Sequence, residues 1–158
     1  MKQRILLITG WGGGTNLLHS LQLALQQQGH EVELINIFNA FDQDVLQHKA
    51  EWARQFDVIM GWSLGGQLAS LLVDEIEQHY TEQKILITLA SNPCFVANDT
   101  WQTAMPPKTF QVFKQSFEQD AVATLKKFGY MVCQGVESSK KDFITLQSLI
   151  QPQQFDLL

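Results

Sequence analysis

The chain has 158 residues, of which 45% are hydrophobic and 17% are charged, and its formal net charge is −5 at pH 7. These values fit one soluble domain with a buried core, and the longest apolar runs are too short to cross a membrane. The acidic balance and the lack of a recognition motif argue against nucleic acid as a partner. Two cysteines, Cys94 and Cys133, are too few for a disulfide framework or a zinc site, which predicts a cytoplasmic protein.

The first predicted strand is the apolar run at residues 4–9, which is typical of a buried parallel strand. A glycine-rich loop follows at residues 10–14, and then a helix capped by Thr15 or Asn16 that Gly29 terminates. A dinucleotide fingerprint counted from Gly10 would need its third glycine at Thr15, and no Walker lysine is present. Two interpretations stay open, a tight turn and an oxyanion loop with backbone N–H groups near Trp11.

Strands and helices alternate through the next part of the chain. Further strands are predicted at residues 31–37, 58–60 and 84–90. The helices between them are predicted from Asp42 to about Gln55 and from Gln67 to about Tyr80. This alternation with short connections predicts an α/β fold with a parallel sheet covered by helices on both faces.

The third strand leads directly into Gly61-x-Ser63-x-Gly65, and a helical pattern begins at once. A G-x-S-x-G sequence between a strand and a helix is typical of a nucleophile elbow. The two glycines stand where a Cβ would collide with the sharp turn, and the helix directs free N–H groups toward Ser63. The N–H of Leu64 would be one of the oxyanion donors. The alternative is a glycine-rich turn whose serine only caps the helix.

A serine nucleophile also requires a general base and an acid, which follow the serine in chain order in this kind of fold. The chain has four histidines, at His19, His30, His48 and His79. Only His79 follows the serine, and it lies at the far end of the helix, roughly 20 Å away at 1.5 Å per residue. His19 precedes the serine, and Asp99 has no histidine to orient. The triad is therefore expected to be incomplete in these 158 residues.

After the fourth strand the chain becomes helical, with helices predicted at residues 108–118, 120–134 and 138–150. The predicted domains are a core at residues 1–106 and a helical lid at residues 107–158. Residues 107–145 carry six lysines and four acidic residues, a net charge of +2, against −7 for the rest. This basic region is either a solvated helical face or a docking surface for an acidic partner.

Several segments together resemble the pimeloyl-[acyl-carrier protein] methyl ester esterases of biotin synthesis, which are α/β-hydrolases. The segments are Gly10-Trp-Gly12, Gly61-Trp-Ser-Leu-Gly-Gly66, Ala90-Ser-Asn-Pro-Cys-Phe-Val-Ala-Asn-Asp-Thr-Trp101 and Thr124-Leu-Lys-Lys-Phe128. The elbow motif marks the whole superfamily, whereas the third segment is much more particular to this group. The likeness extends over nearly all of the chain.

The resemblance implies a metal-free and cofactor-free serine carboxylesterase in which Ser63 is the nucleophile. It also implies that the four strands lie in the order second, first, third, fourth. Trp11 and Leu64 would supply oxyanion N–H groups and line the acyl site. The segment expected to contact the pimeloyl chain is Phe128, Gly129, Tyr130, Met131 and Val132. Lys127 and Lys140 fall where the family has arginines that bind the acyl carrier protein, so an acidic carrier protein becomes the favoured partner.

The chain also departs from the family pattern. Thr9 stands where the family usually has histidine, and Ala123 and Ile144 stand where it has lid arginines. The family sheet continues for two more strands that bring the catalytic Asp and His, so the chain is expected to be the front part of a longer hydrolase. It is also expected to self-associate through the exposed edge of its fourth strand. Two other functions stay open: a different esterase or acyltransferase of this fold, and a catalytically silent module that binds an acyl carrier.

Overall fold

Residues 1–150 are described by the computed structural model, and they divide between Asn92 and Pro93 into two compact units. The first unit contains the sheet and the second contains only helices and an irregular loop. The domain boundary predicted from the sequence lies later, after residue 106. Loop 93–106 belongs to the helical unit. It is held by internal hydrogen bonds, as Ala97 N–H donates to Met105 O at 2.8 Å and Met105 N–H to Phe95 O at 3.1 Å.

The sheet of the first unit has four parallel strands, β1 (Arg4–Ile8), β2 (Glu31–Ile35), β3 (Val58–Trp62) and β4 (Ile85–Leu89). Their order is β2-β1-β3-β4, with every neighbouring pair parallel. The predicted strand order is confirmed. All four strands therefore end at the same edge of the sheet, and the loops after β1 and β3 are neighbours there.

Three helices connect these strands, α1 (His19–Gln27), α2 (Gln43–Ala53) and α3 (Leu64–Tyr80). The start of α2 is fixed by Asp42, whose carboxylate accepts hydrogen bonds from two N–H groups of the first turn. The helix predicted from residue 15 is divided, because Thr15–Leu18 form a 3-10 turn before α1 begins. Neither Thr15 nor Asn16 caps it, since Gly14 with φ of 69° holds the cap position.

The core lies on both faces of the sheet, which explains the continuous apolar run of β1. One set of its side chains, including Leu6 and Ile8, packs with Leu72 and Ile76 of α3 and with the buried residues of α2. The other set, Ile5 and Leu7, packs with Val32, Val58 and Met60 and against the apolar side of α1. β1 is thus the central strand, and burial on both faces fixes the position of the loop that follows it.

The second unit contains α4 (Pro107–Gln119), α5 (Ala121–Val132) and α6 (Ser139–Leu149). α4 packs on α5 through the rings of Phe113 and Phe128, whose centroids are 5.7 Å apart. α5 packs on α6 through Tyr130 and Phe143, in an edge-to-face contact at 5.5 Å. In the described part of the chain, no helix combines the length and the apolar character that a membrane crossing would need.

Candidate active site

Ser63 occupies the sharp turn between β3 and α3. Its φ is 56° and its ψ is −123°, a conformation that a residue with a Cβ rarely adopts. The turn is held by hydrogen bonds on both sides, as Ser63 N–H donates to Leu89 O and Gly66 N–H donates to Ser63 O, both at 2.9 Å. The strained turn predicted from G-x-S-x-G is therefore present, and such strain is typical of functional sites.

The glycines around Ser63 are required by close backbone contacts. A methyl group on Gly61 would lie 2.0 Å from the carbonyl oxygen of Gly65, and one on Gly65 would lie 2.2 Å from that of Thr9. On Gly66 it would lie 2.5 Å from Cβ of Ser91. Real Cβ atoms essentially never approach so closely. The elbow is thus packed directly on the end of β1.

The glycine loop after β1 lies against the elbow. A methyl group on Gly10 would lie 2.6 Å from the ring of Trp62 and 3.0 Å from Cβ of Ser63. Trp11 and Leu64, the two predicted oxyanion residues, both pack against the same buried core cluster. The fold therefore brings together the loop and the serine that the sequence singled out 50 residues apart.

The start of α3 offers unsatisfied backbone donors beside Ser63. Leu64 is the first residue of this 17-residue helix, so its N–H has no acceptor one turn back within the helix. The N–H of Ser63 itself is already used by Leu89 O. The positive end of the helix dipole adds to the attraction for negative charge. A helix start of this kind can stabilise negative charge that develops on a carbonyl oxygen beside it.

The histidines are engaged elsewhere in the molecule. His79 pairs with Glu75 at 3.1 Å in the last turn of α3, at the opposite end of the helix from Ser63. His48 contacts the carbonyl oxygen of Asp44 through Nδ1 at 2.6 Å, and His30 Nδ1 accepts from the N–H of Gln3 at 3.3 Å. His19 is exposed and contacts Gln22 Oε1 at 3.3 Å. Since these four are all the histidines of the chain, none is paired with Ser63 in the structure.

The segment predicted to contact the acyl chain, residues 128–132, lies on α5 in the helical unit. Phe128 packs toward α4 and Gly129 lies against α6, where a methyl group would be 3.1 Å from Leu146. Tyr130, Met131 and Val132 are about half exposed, at 53%, 51% and 53%. Lys127 on α5 and Lys140 on α6 are both exposed. Their roles in binding stay predictions.

One pair at the site was not predicted as functional. Thr9 is fully buried, and its hydroxyl donates to Asn36 Oδ1 at 2.8 Å. The sequence signal that could have identified the pair is a polar residue directly after each of two apolar strands, Thr9 after β1 and Asn36 after β2. Their hydrogen bond joins residues 27 positions apart, and it follows only once the register of β1 with β2 is known.

The strand order, the strained serine turn and the packed glycine loop define an α/β-hydrolase fold, represented here by a four-stranded part of the sheet. No family model matches the chain. Comparison with individual curated proteins nevertheless gives several relatives at about 30% identity over nine-tenths of the chain.

Over 90% of its length, the chain is 30% identical to the pimeloyl-[acyl-carrier protein] methyl ester esterase of Aeromonas salmonicida, of which it covers 59%. The corresponding esterase of Pectobacterium carotovorum is 30% identical over 94% of the chain, which covers 60% of that protein. The biotin biosynthesis bifunctional protein BioHC of Saccharophagus degradans is 31% identical over 94% of the chain and is covered to 29%. The resemblance to these esterases, which are carboxylic ester hydrolases by name, is confirmed, and the chain spans about 60% of the length of the single-function relatives.

Proposed function

We propose that this chain carries the nucleophile of a serine carboxylesterase that hydrolyses the methyl ester of pimeloyl-acyl carrier protein. The strained Ser63 turn at the start of α3 is the observation that carries the proposal. The names of the relatives support the substrate class, since they are methyl ester esterases of this carrier-bound acid.

The proposed reaction proceeds through an acyl-serine intermediate. Oγ of Ser63 attacks the ester carbonyl carbon, and the carbonyl oxygen becomes an oxyanion held by the N–H groups of Leu64 and Trp11. The C–O bond to the methoxy group then breaks and methanol leaves with the serine proton. Water hydrolyses the acyl-serine, which releases the free carboxyl and restores the hydroxyl. None of the four histidines of the chain is assigned as the general base, since each has another contact.

The helical unit is proposed to recognise the carrier-bound acyl chain. Within residues 128–132, Tyr130, Met131 and Val132 offer half-exposed side chains on α5 that suit an aliphatic chain. Lys127 and Lys140 are exposed cations within a region of net positive charge, which suits an acidic carrier protein.

Replacement of the nucleophile tests the reaction. We expect Ser63→Ala to lower the rate of methanol release from pimeloyl-acyl carrier protein methyl ester by at least about 1000-fold, as for other serine nucleophiles. Ser20→Ala is the matched control, since Ser20 is an exposed serine of α1. Equal rates for the two variants would overturn the mechanism. A preference of the wild-type protein for free short-chain esters over the carrier-bound ester would instead favour a different esterase of this fold.

Charge reversal tests the carrier surface. We expect Lys127→Glu to raise KM for the carrier-bound ester about tenfold at low salt and to leave the hydrolysis of a free p-nitrophenyl ester unchanged. The difference should shrink as salt is added, because salt screens exposed charges. Lys114→Glu on α4 is the control for net charge. An equal effect of both variants would contradict a role specific to Lys127.

The engagement of all four histidines favours one second candidate, a module that binds the acyl carrier without turnover. It predicts salt-sensitive binding of the carrier-bound ester, weakened by Lys127→Glu, with no methanol release. Titration of the carrier-bound ester by calorimetry, together with a methanol assay, separates this candidate from the esterase.

A further inference from the structure

The end of β1 is tied to the end of β2 by two hydrogen bonds. Thr9 N–H donates to Ile35 O at 3.1 Å, and Thr9 Oγ1 donates to Asn36 Oδ1 at 2.8 Å. The first bond continues the sheet, whereas the second is a bond between side chains at the edge where the candidate site lies. Thr9 therefore has its backbone and its side chain fixed to the same neighbouring segment.

Thr9 is unusual because it is polar and fully buried, with 0% of its surface exposed. The buried residues of β1, which directly precedes Thr9, are all aliphatic. Burying a hydroxyl is costly unless it is hydrogen-bonded, and Asn36 supplies the acceptor. A valine would fill nearly the same space without this cost, so packing alone does not require a hydroxyl here.

The backbone of Thr9 is also in close contact with the elbow. A methyl group on Gly65 would lie 2.2 Å from Thr9 O and 2.4 Å from Ile8 O. The next residue, Gly10, is close enough to Ser63 that a methyl group on it would lie 3.0 Å from Cβ of the serine. Thr9 thus stands between the Asn36 side chain on one side and the serine turn on the other.

We propose that Thr9 and Asn36 are positioning residues, and that their hydrogen bond holds the Gly10–Trp11 backbone at the distance from Ser63 that an oxyanion donor needs. This inference rests on the proposed function for its catalytic consequence. Neither residue touches the substrate. The physical basis is that hydrogen-bond donors stabilise a transition state only when they are fixed in advance at the position where charge develops.

Thr9→Val removes the hydroxyl with little change of shape. We expect it to lower kcat for a p-nitrophenyl ester by roughly tenfold to 100-fold with KM nearly unchanged, since a misplaced donor weakens only the transition state. Thr9→Ser keeps the hydroxyl and should retain kcat within about threefold. Asn36→Leu should reproduce the loss, and the double variant with Thr9→Val should be no worse than either alone, because both remove the same bond.

The second readout does not depend on catalysis. Amide hydrogen exchange at residues 10–13 should become at least about tenfold faster in Thr9→Val than in wild type or Thr9→Ser, since the loop loses its tether. Thr124→Val is the control, because Thr124 is a buried threonine of the helical unit, with 6% of its surface exposed. It should change neither kcat nor exchange in the loop.

The outcomes separate this inference from the proposed function. Unchanged loop exchange in Thr9→Val overturns the inference whatever the activity is. Faster exchange with unchanged kcat per folded molecule also overturns it, since the bond would then be only structural. Faster exchange with lower kcat, both restored by Thr9→Ser, supports it. If the wild-type protein shows no turnover that depends on Ser63, the proposed function is wrong. The catalytic positioning role is then wrong as well, even if faster exchange in Thr9→Val shows that the hydrogen bond restrains the loop.

Discussion

At the scale of single residues, the backbone of Ser63 is held in a conformation that would relax in a free chain. Its positive φ persists because both of its backbone polar groups are hydrogen-bonded and because Gly61 and Gly65 let three backbone segments approach closely. The arrangement holds Ser63 and the start of α3 in a turn with little backbone freedom. Strain of this kind is useful where a reacting group must be presented in one position.

Gly65→Ala tests whether this close approach is essential. The added methyl group would collide with the carbonyl oxygens of Thr9 and Ile8. Both lie at the end of the central strand, where hydrogen bonds to β2 restrict their movement. We expect a loss of about 3 kcal/mol or more in the free energy of unfolding, measured by urea denaturation, together with loss of Ser63-dependent activity.

Gly29→Ala is the control for backbone strain alone. Gly29 has φ of 91°, and a methyl group there would have no neighbour within 4 Å. Its cost should be about 1–2 kcal/mol, the penalty of a left-handed conformation for alanine. A Gly65→Ala variant as stable as Gly29→Ala, and fully active, would show that the elbow is not tightly packed.

At the scale of secondary structure, charged residues join the end of α2 to the segment before β4. Arg54 lies over the ring of Tyr80 at 4.0 Å and pairs with Glu82 at 2.7 Å. Lys84 pairs with the other oxygen of Glu82 at 3.1 Å and donates to Arg54 O at 2.6 Å. The cluster connects the ends of helices that pack on one face of the sheet, at the edge opposite the candidate site.

The Glu82 cluster should make stability depend on acid pH. Hydrogen bonds from Arg54, and then from Lys84, hold the pKa of the Glu82 carboxyl below its ordinary value. A carboxyl whose pKa is lowered by folding stabilises the folded state at pH values above its pKa in the unfolded chain, which is about 4.3. This stabilisation is lost as the pH falls through the pKa of the folded state. Glu82→Gln should therefore lower Tm more at pH 7 than at pH 3. Equal Tm differences at both pH values would contradict this role.

The sequence predicted the elements well where one physical signal dominates. The unbroken apolar runs of β1 and β3 identify buried parallel strands, and their alternation with helices predicts a parallel sheet. The order of the strands came from the resemblance to the hydrolases. The division of the first helix was missed because Gly14 adopts a positive φ that composition does not reveal. The elbow was found from its glycine spacing. Thr9 and Asn36 were not, since a hydrogen bond between two strands depends on their register.

At the scale of the whole molecule, the edge strand β4 is the least protected part of the sheet. Ile85 and Leu86 of this strand are 50% and 41% exposed. Among the described residues, the outer edge of β4 pairs with no other strand. An exposed apolar strand edge favours pairing with another chain. The 158-residue chain is therefore expected to self-associate through β4.

Leu86→Lys tests this expectation. A lysine on an edge strand opposes pairing, so the variant should shift the chain toward the monomer in light scattering at about 100 μM, relative to wild type. Val122→Lys is the control, because Val122 is an exposed apolar residue of α5, 68% exposed. A wild-type chain that stays monomeric over the whole concentration range would contradict self-association through this edge.

The central claim is that Ser63 forms a covalent acyl intermediate, and a fluorophosphonate probe tests it most directly. The purified protein is incubated with the probe, digested, and mapped by mass spectrometry, with Ser63→Ala in parallel. We predict one adduct per chain, on the peptide that contains Ser63, and none in the variant. Equal labelling of Ser63→Ala, or an adduct on another serine such as Ser91, would contradict the assignment of the nucleophile.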